Sequence, residues 1–294
     1  MTLTVTLALV AAAFFAVASV LQHRGARRVR QRAPLHPGLF AELARSRGWL
    51  VGITAQAAGV VLHLLAVNFG PLSVVQPVLT VGLVMALVLQ RILGRRIGKP
   101  SWLAAGLVVL GLSIFLAVTP PSPAGAPVAM AAWAPGLLLS ATVVAIGLGA
   151  ALLTGGTVRC VCFGASAGVL MATSAALGKA WGTMLQTGGL VGLLNSWQLW
   201  AALACGAGGM MLSQAAFQAG PLGGSLAAMM AIDPVIGVAL GVIVFVEPFA
   251  TPGTAALRVL GLGLTIGGVW LLASAQRPSG VGSTEMPVAR SRLS

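Results

Sequence analysis

Long apolar runs, broken only by short polar or basic stretches, dominate the chain from residue 3 to residue 275. The runs are continuous rather than alternating, so they read as helices and not as the period-two strands of a membrane barrel. Nine of them predict membrane spans, at 3–22, 49–69, 71–93, 101–119, 134–153, 161–183, 197–219, 222–246 and 255–275. Each is near the ~20 residues that cross a hydrocarbon core of about 30 Å. Connections are short, apart from a basic one at 23–48 and an uncharged one at 120–133. The segment 184–196 reads as an uncharged loop, and residues 277–294 as a disordered polar tail.

Composition changes the picture only by excluding alternatives. Hydrophobic residues make up 58% and charged residues 7%, with a mean hydropathy of +0.99. Soluble proteins carry roughly a quarter charged residues, so an all-α polytopic membrane protein is the fold class. The net charge of +13 would suit nucleic acid, but its placement does not. Arg24, Arg27, Arg28, Arg30, Arg32, Arg45 and Arg47 flank the first two runs, and Arg91, Arg95, Arg96 and Lys99 separate the third from the fourth. Basic clusters beside spans mark cytoplasmic loops and attract anionic lipid headgroups, each residue by about 1 kcal/mol. An N-terminus outside and a C-terminus inside the cytoplasmic membrane put fifteen of the 17 basic residues inside. Lys179 and Arg258 are the exceptions, near the outer ends of their spans.

Residues 3–22, with Ala-Val-Ala at 16–18, resemble a cleavable signal. No basic segment precedes them and a basic block follows, so they read as a retained first span. Cys160 and Cys162 lack the further ligands of a closed zinc site and, with Cys205, read as small buried hydrophobes. No metal site and no cofactor is expected.

The chain also repeats itself. Gly70-Pro71-Leu72 matches Gly220-Pro221-Leu222 at an offset of 150. After a seven-residue insertion the offset is 157, pairing Pro77 with Pro234, Gln90 with Glu247, Gly106 with Gly263 and Gly111 with Gly268. "AVASVLQHRG" at 16–25 faintly parallels 172–182. The pattern predicts a first four-helix unit at 1–119, a linking segment and helix at 120–153, and a second unit at 154–276. One odd helix between them inserts the units in opposite directions. Such a 4+1+4 inverted repeat is the architecture of secondary transporters.

At these residues the chain resembles a family. Pro234, Glu247 thirteen residues on, and the glycines Gly263 and Gly268 resemble the second-half signature of the drug/metabolite transporter superfamily. "ASVLQHRGARR" (18–28) and "NFGPLSVVQPVLTVG" (68–82) are similar to its NIPA-like magnesium-transporter branch. That resemblance implies alternating access and, in the branch, a Gly-Glu-x-x-Asn cation site in the second span. Here the stretch is Gly59-Val60-Val61-Leu62-His63, and Gln22, His23 and Gln90 stand where the branch has lysines and a glutamate. Magnesium takes oxygen ligands with carboxylate help, so these departures weigh against it.

The candidate chemistry is sparse. Asp233 sits mid-span, where an ionised carboxylate costs ~2.5–3.5 kcal/mol and needs a partner, a proton or water. It is a candidate proton or cation site; a hydrogen-bonded structural acid, or a cap where Pro234 interrupts the helix, is the alternative. His63 shares a helical face with Gln56 and Gly59 and titrates near neutrality as a free group. Gln76, Ser213 and Gln214 add hydrogen-bonding capacity. Glu247 lies about 21 Å along a helix from Asp233 and is expected to pair with Arg258 or Lys179 as an outer gate. Pro77, Pro234, Gly70, Pro71, Gly220 and Pro221 are expected structural positions. No nucleotide-binding loop or catalytic constellation is present in the sequence, so the chain does not read as an enzyme. A secondary transporter of a small organic or cationic metabolite is the leading expectation. A non-transporting membrane subunit that keeps the fold, and a NIPA-like divalent-cation transporter, are the alternatives. The pattern does not distinguish a monomer from a homodimer.

Overall fold

Without water to satisfy it, backbone in a bilayer must close its hydrogen bonds within helices or closed barrels, and this chain uses helices. A computed structural model describes residues 2–29, 37–69, 75, 78–118, 129–246 and 253–275. Eleven helices with assigned bounds follow in order: α1 Thr2–Arg28, α2 Pro37–Leu43, α3 Arg47–Phe69, α4 Gly82–Ile92, α5 Lys99–Ala117, α6 Met130–Leu153, α7 Gly156–Lys179, α8 Trp181–Leu194, α9 Trp197–Ala219, α10 Leu222–Val244 and α11 Ala255–Ala275. Seven of them, α1, α5, α6, α7, α9, α10 and α11, are long and apolar enough to cross a bilayer. The predicted span at 49–69 corresponds to α3, and that at 71–93 to a shorter apolar helix, Val78–Ile92. Residues 70–74, 76 and 77, and with them Gly70, Pro71, Gln76 and Pro77, lie outside the described residues. So do Glu247 and the tail from residue 276.

Two expectations change. The segment 184–196 is not a loop: most of it belongs to α8, which bends at Gly189 (φ 60°, ψ −159°). Its 14 residues reach only ~21 Å, too short to span. Leu190, Val191 and Leu194 are exposed on it while Trp181 packs against the bundle, so its apolarity belongs to a surface helix at the bundle's edge rather than to a turn. The helix α10 also runs unbroken through Pro234, so Asp233 does not cap an interruption.

Packing follows the small residues. The helix α1 lies along α3 and α4, α7 along α9 and α10, and α5 along α11, while α6 rests on α7 and α10. A Cβ at Gly111 of α5 would sit 2.6 Å from Gly261 O and Thr265 N of α11. A Cβ at Gly268 of α11 would sit 2.9 Å from Ala104 O and 2.8 Å from Val108 N of α5. Backbones approach this closely only where one side has no side chain, the usual means of helix association in lipid.

One apolar cluster joins Val20, Leu87 and Val108 to Phe217, Leu226 and Leu272. A second gathers Trp133, Val169, Leu177, Ile236 and Leu240. Helix direction brings Arg24, Arg27, Arg28, Arg91, Arg95, Lys99 and Arg159 to one end of the bundle. Lys179 and Arg258 come to the other.

Candidate functional site

About two turns in from the basic end, the last turns of α1 face the start of α3 and the end of α9. Gln22 Nε2 donates to Gln56 Oε1 at 2.6 Å and lies 3.4 Å from Gly52 O. Gln214 Nε2 donates to Gln22 Oε1 at 2.9 Å, and Trp49 Nε1 donates to Gln214 Oε1 at 3.0 Å. Gln22 and Gln214 are buried and Gln56 half-buried, so three amides and an indole form one chain across three helices. An amide both donates and accepts, which lets the chain close without a charge.

At the next residue of α1, a second latch joins that helix to the α9–α10 turn. His23 Nε2 lies 3.1 Å from Gly220 O; a carbonyl only accepts, so that nitrogen carries the proton. The imidazole also stands edge-on to Phe217, with ring centres 5.9 Å apart. Cys160 Sγ donates to Pro221 O at 3.4 Å. A Cβ at Gly220 would sit 2.6 Å from Cys160 Cβ, so glycine is required for the turn to reach α7. The expected structural pair Gly220 and Pro221 thus supplies carbonyl acceptors to both α1 and α7.

The expected site residues divide between this network and other positions. Gln56 and Gln214 belong to it, and Ser213 is buried beside it, its hydroxyl bonding Met210 O at 2.7 Å. His63 lies on the same α3 face, where Gly59 packs on the Phe15 ring of α1. It is ~10 Å farther along the helix than Gln56, half-buried, with Nδ1 meeting no hydrogen-bond partner. Asp233 stands apart from the network. Its residue is exposed, and behind it Gly168 of α7 brings the backbones together, a Cβ there falling 2.7 Å from Met229 O and 3.3 Å from Asp233 N.

At the far end the two unexpected cations meet rings. Lys179 Nζ lies 4.4 Å from the centre of the Phe245 ring. The buried Arg258 guanidinium lies 4.9 Å from that of Phe115. The two sit on different helix pairs, and their expected partner Glu247 lies outside the described residues. Sequence reasoning missed Trp49 and treated Gln22 and His23 only as departures from a motif. The signal for both was their place at the end of the first apolar run, before Arg24, where polar side chains held in the helix require partners.

No family model matches the chain. It is similar to a protein of Corynebacterium glutamicum described as uncharacterized, 28% identical over 252 residues that cover 84% of this chain and 86% of that one. No solved structure matches. The relative has nearly the same extent, so the similarity embraces the bundle rather than one motif.

Proposed function

We propose that the chain is a secondary transporter of the drug/metabolite type, moving a small organic or cationic metabolite across the cytoplasmic membrane by alternating access. The observation that carries this reading is the reciprocity of the α5–α11 contact. An offset of 157 turns Gly111 into Gly268, Ala104 into Gly261 and Val108 into Thr265. Gly111 touches the carbonyl of 261 and the amide of 265, and Gly268 touches the carbonyl of 104 and the amide of 108. A two-fold axis between antiparallel halves produces such reciprocal pairs. The pairing of α1 with α3 and of α7 with α9 fits the same operation. Two halves related in this way can exchange packings of similar energy, the mechanical basis of alternating access.

In this reading the basic end faces the cytoplasm, and the amide network with the His23–Gly220 contact is a closed inner gate. Interhelical hydrogen bonds in a membrane average about 0.6 kcal/mol, so opening this gate costs a few kcal/mol, within reach of a substrate or proton. Asp233 lies ~17 Å along α10 from its basic-end start, beyond the gate. Its residue is exposed on the bare bundle, and since a carboxylate turned to lipid alone is costly, water or substrate is the partner this reading assigns to it. A retained but inactive fold predicts the sealed acid. Divalent-cation transport would need a donor set, and among the described residues no three His, Cys, Asp or Glu side chains converge. Uptake into proteoliposomes driven by a pH gradient is the test: transport of candidate metabolites unchanged by Asp233→Asn and His63→Ala would overturn the mechanism.

A further inference from the structure

Below the inner network, a cavity of about 400 Å³ opens at the basic end, lined by Val20, His23, Arg24, Arg27, Arg28, Gln90 and Arg95. Arg24, Arg27 and Arg28 stand at i, i+3 and i+4 on the last turns of α1, one face of that helix. Arg95 comes from a different segment, the connection between α4 and α5. Its position is built by the backbone. Gly94, at φ +89°, closes α4 with Gly94 N–H on Arg91 O and Arg95 N–H on Gln90 O, both at 3.0 Å. This paired cap needs a left-handed residue at its hinge, and it folds Arg95 back over Gln90. Arg24 Nη2 donates to Leu93 O at 3.1 Å, tying the α1 turns to the same connection.

Arginines at a helix C-terminus complement its dipole, and that alone accounts for Arg27 and Arg28. It does not account for a fourth guanidinium brought to the same cavity from another segment. Arg95 is exposed at its residue surface, yet it holds its proton less firmly than a free arginine, first because it is partly desolvated and then because Arg27 is near. No carboxylate lines the cavity among the described residues. Gln90 adds a second observation. It is only 5% exposed, and its Oε1 meets no partner. A buried, half-used amide at the edge of a cationic cavity is a group awaiting a ligand: exchanging its oxygen and nitrogen gives up the long 3.4 Å contact of Nε2 with Ala86 O and offers an N–H in its place.

We propose that this cavity binds a phosphate-bearing anion, held by Arg24, Arg27, Arg28 and Arg95 with Gln90 completing the polar shell. Guanidinium forks match the oxygens of a phosphate two at a time. The volume lies within the roughly 300–1,000 Å³ of small-molecule sites, room for a phosphate with an organic body rather than an inorganic ion alone. The same group comes from two sources, a phospholipid headgroup in the adjoining leaflet or a soluble phosphorylated metabolite. Either would bridge α1 to the α4–α5 connection beside the His23 latch. The site does not depend on the transport reading, because its occupancy is measured without transport.

The test uses the full chain, purified in neutral detergent and stripped of lipid. In one arm inorganic phosphate and glycerol 3-phosphate are titrated calorimetrically. In the other the protein is placed in phosphatidylcholine nanodiscs with or without phosphatidylglycerol, and retained lipid is read by native mass spectrometry. Saturable binding in the first arm identifies a soluble ligand, and selective retention of phosphatidylglycerol in the second identifies a headgroup. In whichever arm binds, Arg27→Gln and Arg95→Gln each weaken it about tenfold, the loss of one charge-assisted contact. Arg159→Gln, at the same end but outside the cavity, leaves it unchanged. Gln90→Leu, which keeps all four charges, weakens binding less and serves where an arginine variant does not fold. Absence of saturable binding in both arms overturns the proposal. So does binding that Arg159→Gln weakens as much as Arg95→Gln.

Discussion

Gln214 Nε2 on α9 donates to Gln22 Oε1 on α1 at 2.9 Å, joining residues 192 positions apart. Both are buried, and each has a further partner, Trp49 for Gln214 and Gln56 for Gln22. Gln214→Leu therefore breaks the Trp49 Nε1 contact and leaves Gln22 Oε1 without the amide it accepts from. An unsatisfied buried group costs about 1–3 kcal/mol, and a lower unfolding midpoint in detergent is the expected outcome. Gln22→Leu combined with Gln214→Leu costs less than the two single losses together, since neither amide then lacks the other. Strict additivity across that cycle would mean the two side chains do not interact.

Four glycines matched by the offset of 157 separate into two behaviours. Gly111 and Gly268 abut backbone, whereas Gly106 and Gly263 have nothing within 4 Å of an added Cβ. Gly111→Ala and Gly268→Ala must push α5 and α11 apart, and a loss of several kcal/mol is expected of overpacking that meets backbone. Gly106→Ala and Gly263→Ala are expected to be neutral or to stabilise by up to ~1 kcal/mol, since alanine is the better helix former. Unfolding midpoints of the four variants decide it. If the two members of either matched pair behave oppositely, the symmetry between the halves is not mechanical.

The apolar runs and their lengths made the long helices legible, because a bilayer leaves the backbone few options. The α8 helix was not, because a 14-residue apolar stretch between spans gives no periodicity that separates a loop from a surface helix. Gln56, Ser213 and Gln214 were visible as polar residues in apolar runs. What joined two of them to Gln22 and Trp49 was not, since partners far apart in sequence meet only through helix packing. Arg95 shows the same limit. Its charge was plain, but its return over Gln90 depends on the backbone of Gly94, which the sequence offers only as one glycine among 39.

Phe245 serves two neighbours at the far end of the bundle. Its ring takes the Lys179 ammonium at 4.4 Å and stands edge-on to Trp133, with ring centres 5.5 Å apart. Phe245→Leu removes both contacts, about 0.5–2 kcal/mol for a half-buried cation–π pair and about 0.5–1.5 kcal/mol for an aromatic pair. Phe245→Tyr preserves the ring and is expected to keep most of the stability. The comparison isolates the ring when both variants are read by unfolding in the same detergent. Equal losses in leucine and tyrosine variants would show that shape, not the ring face, is what Lys179 uses.

Gly168 and Asp233 allow packing to be separated from chemistry at the proposed transport site. An alanine at 168 places its Cβ 2.7 Å from Met229 O and 3.3 Å from Asp233 N. Backbone cannot yield as a flexible side chain does, so α7 must retreat from the turn of α10 that carries the carboxylate. Gly168→Ala is expected to lower stability by a few kcal/mol and to lower transport with it, at every pH and in every assay. Asp233→Asn changes no packing volume and removes only the charge and the exchangeable proton. Its expected signature is an unchanged unfolding midpoint, loss of accumulation driven by a pH gradient, and retained exchange of substrate between two pools at equal pH. Exchange needs only that the binding site alternates, whereas accumulation needs the proton as well. Should Asp233→Asn abolish exchange while leaving the protein folded, the carboxylate would be holding the substrate itself rather than the coupling proton.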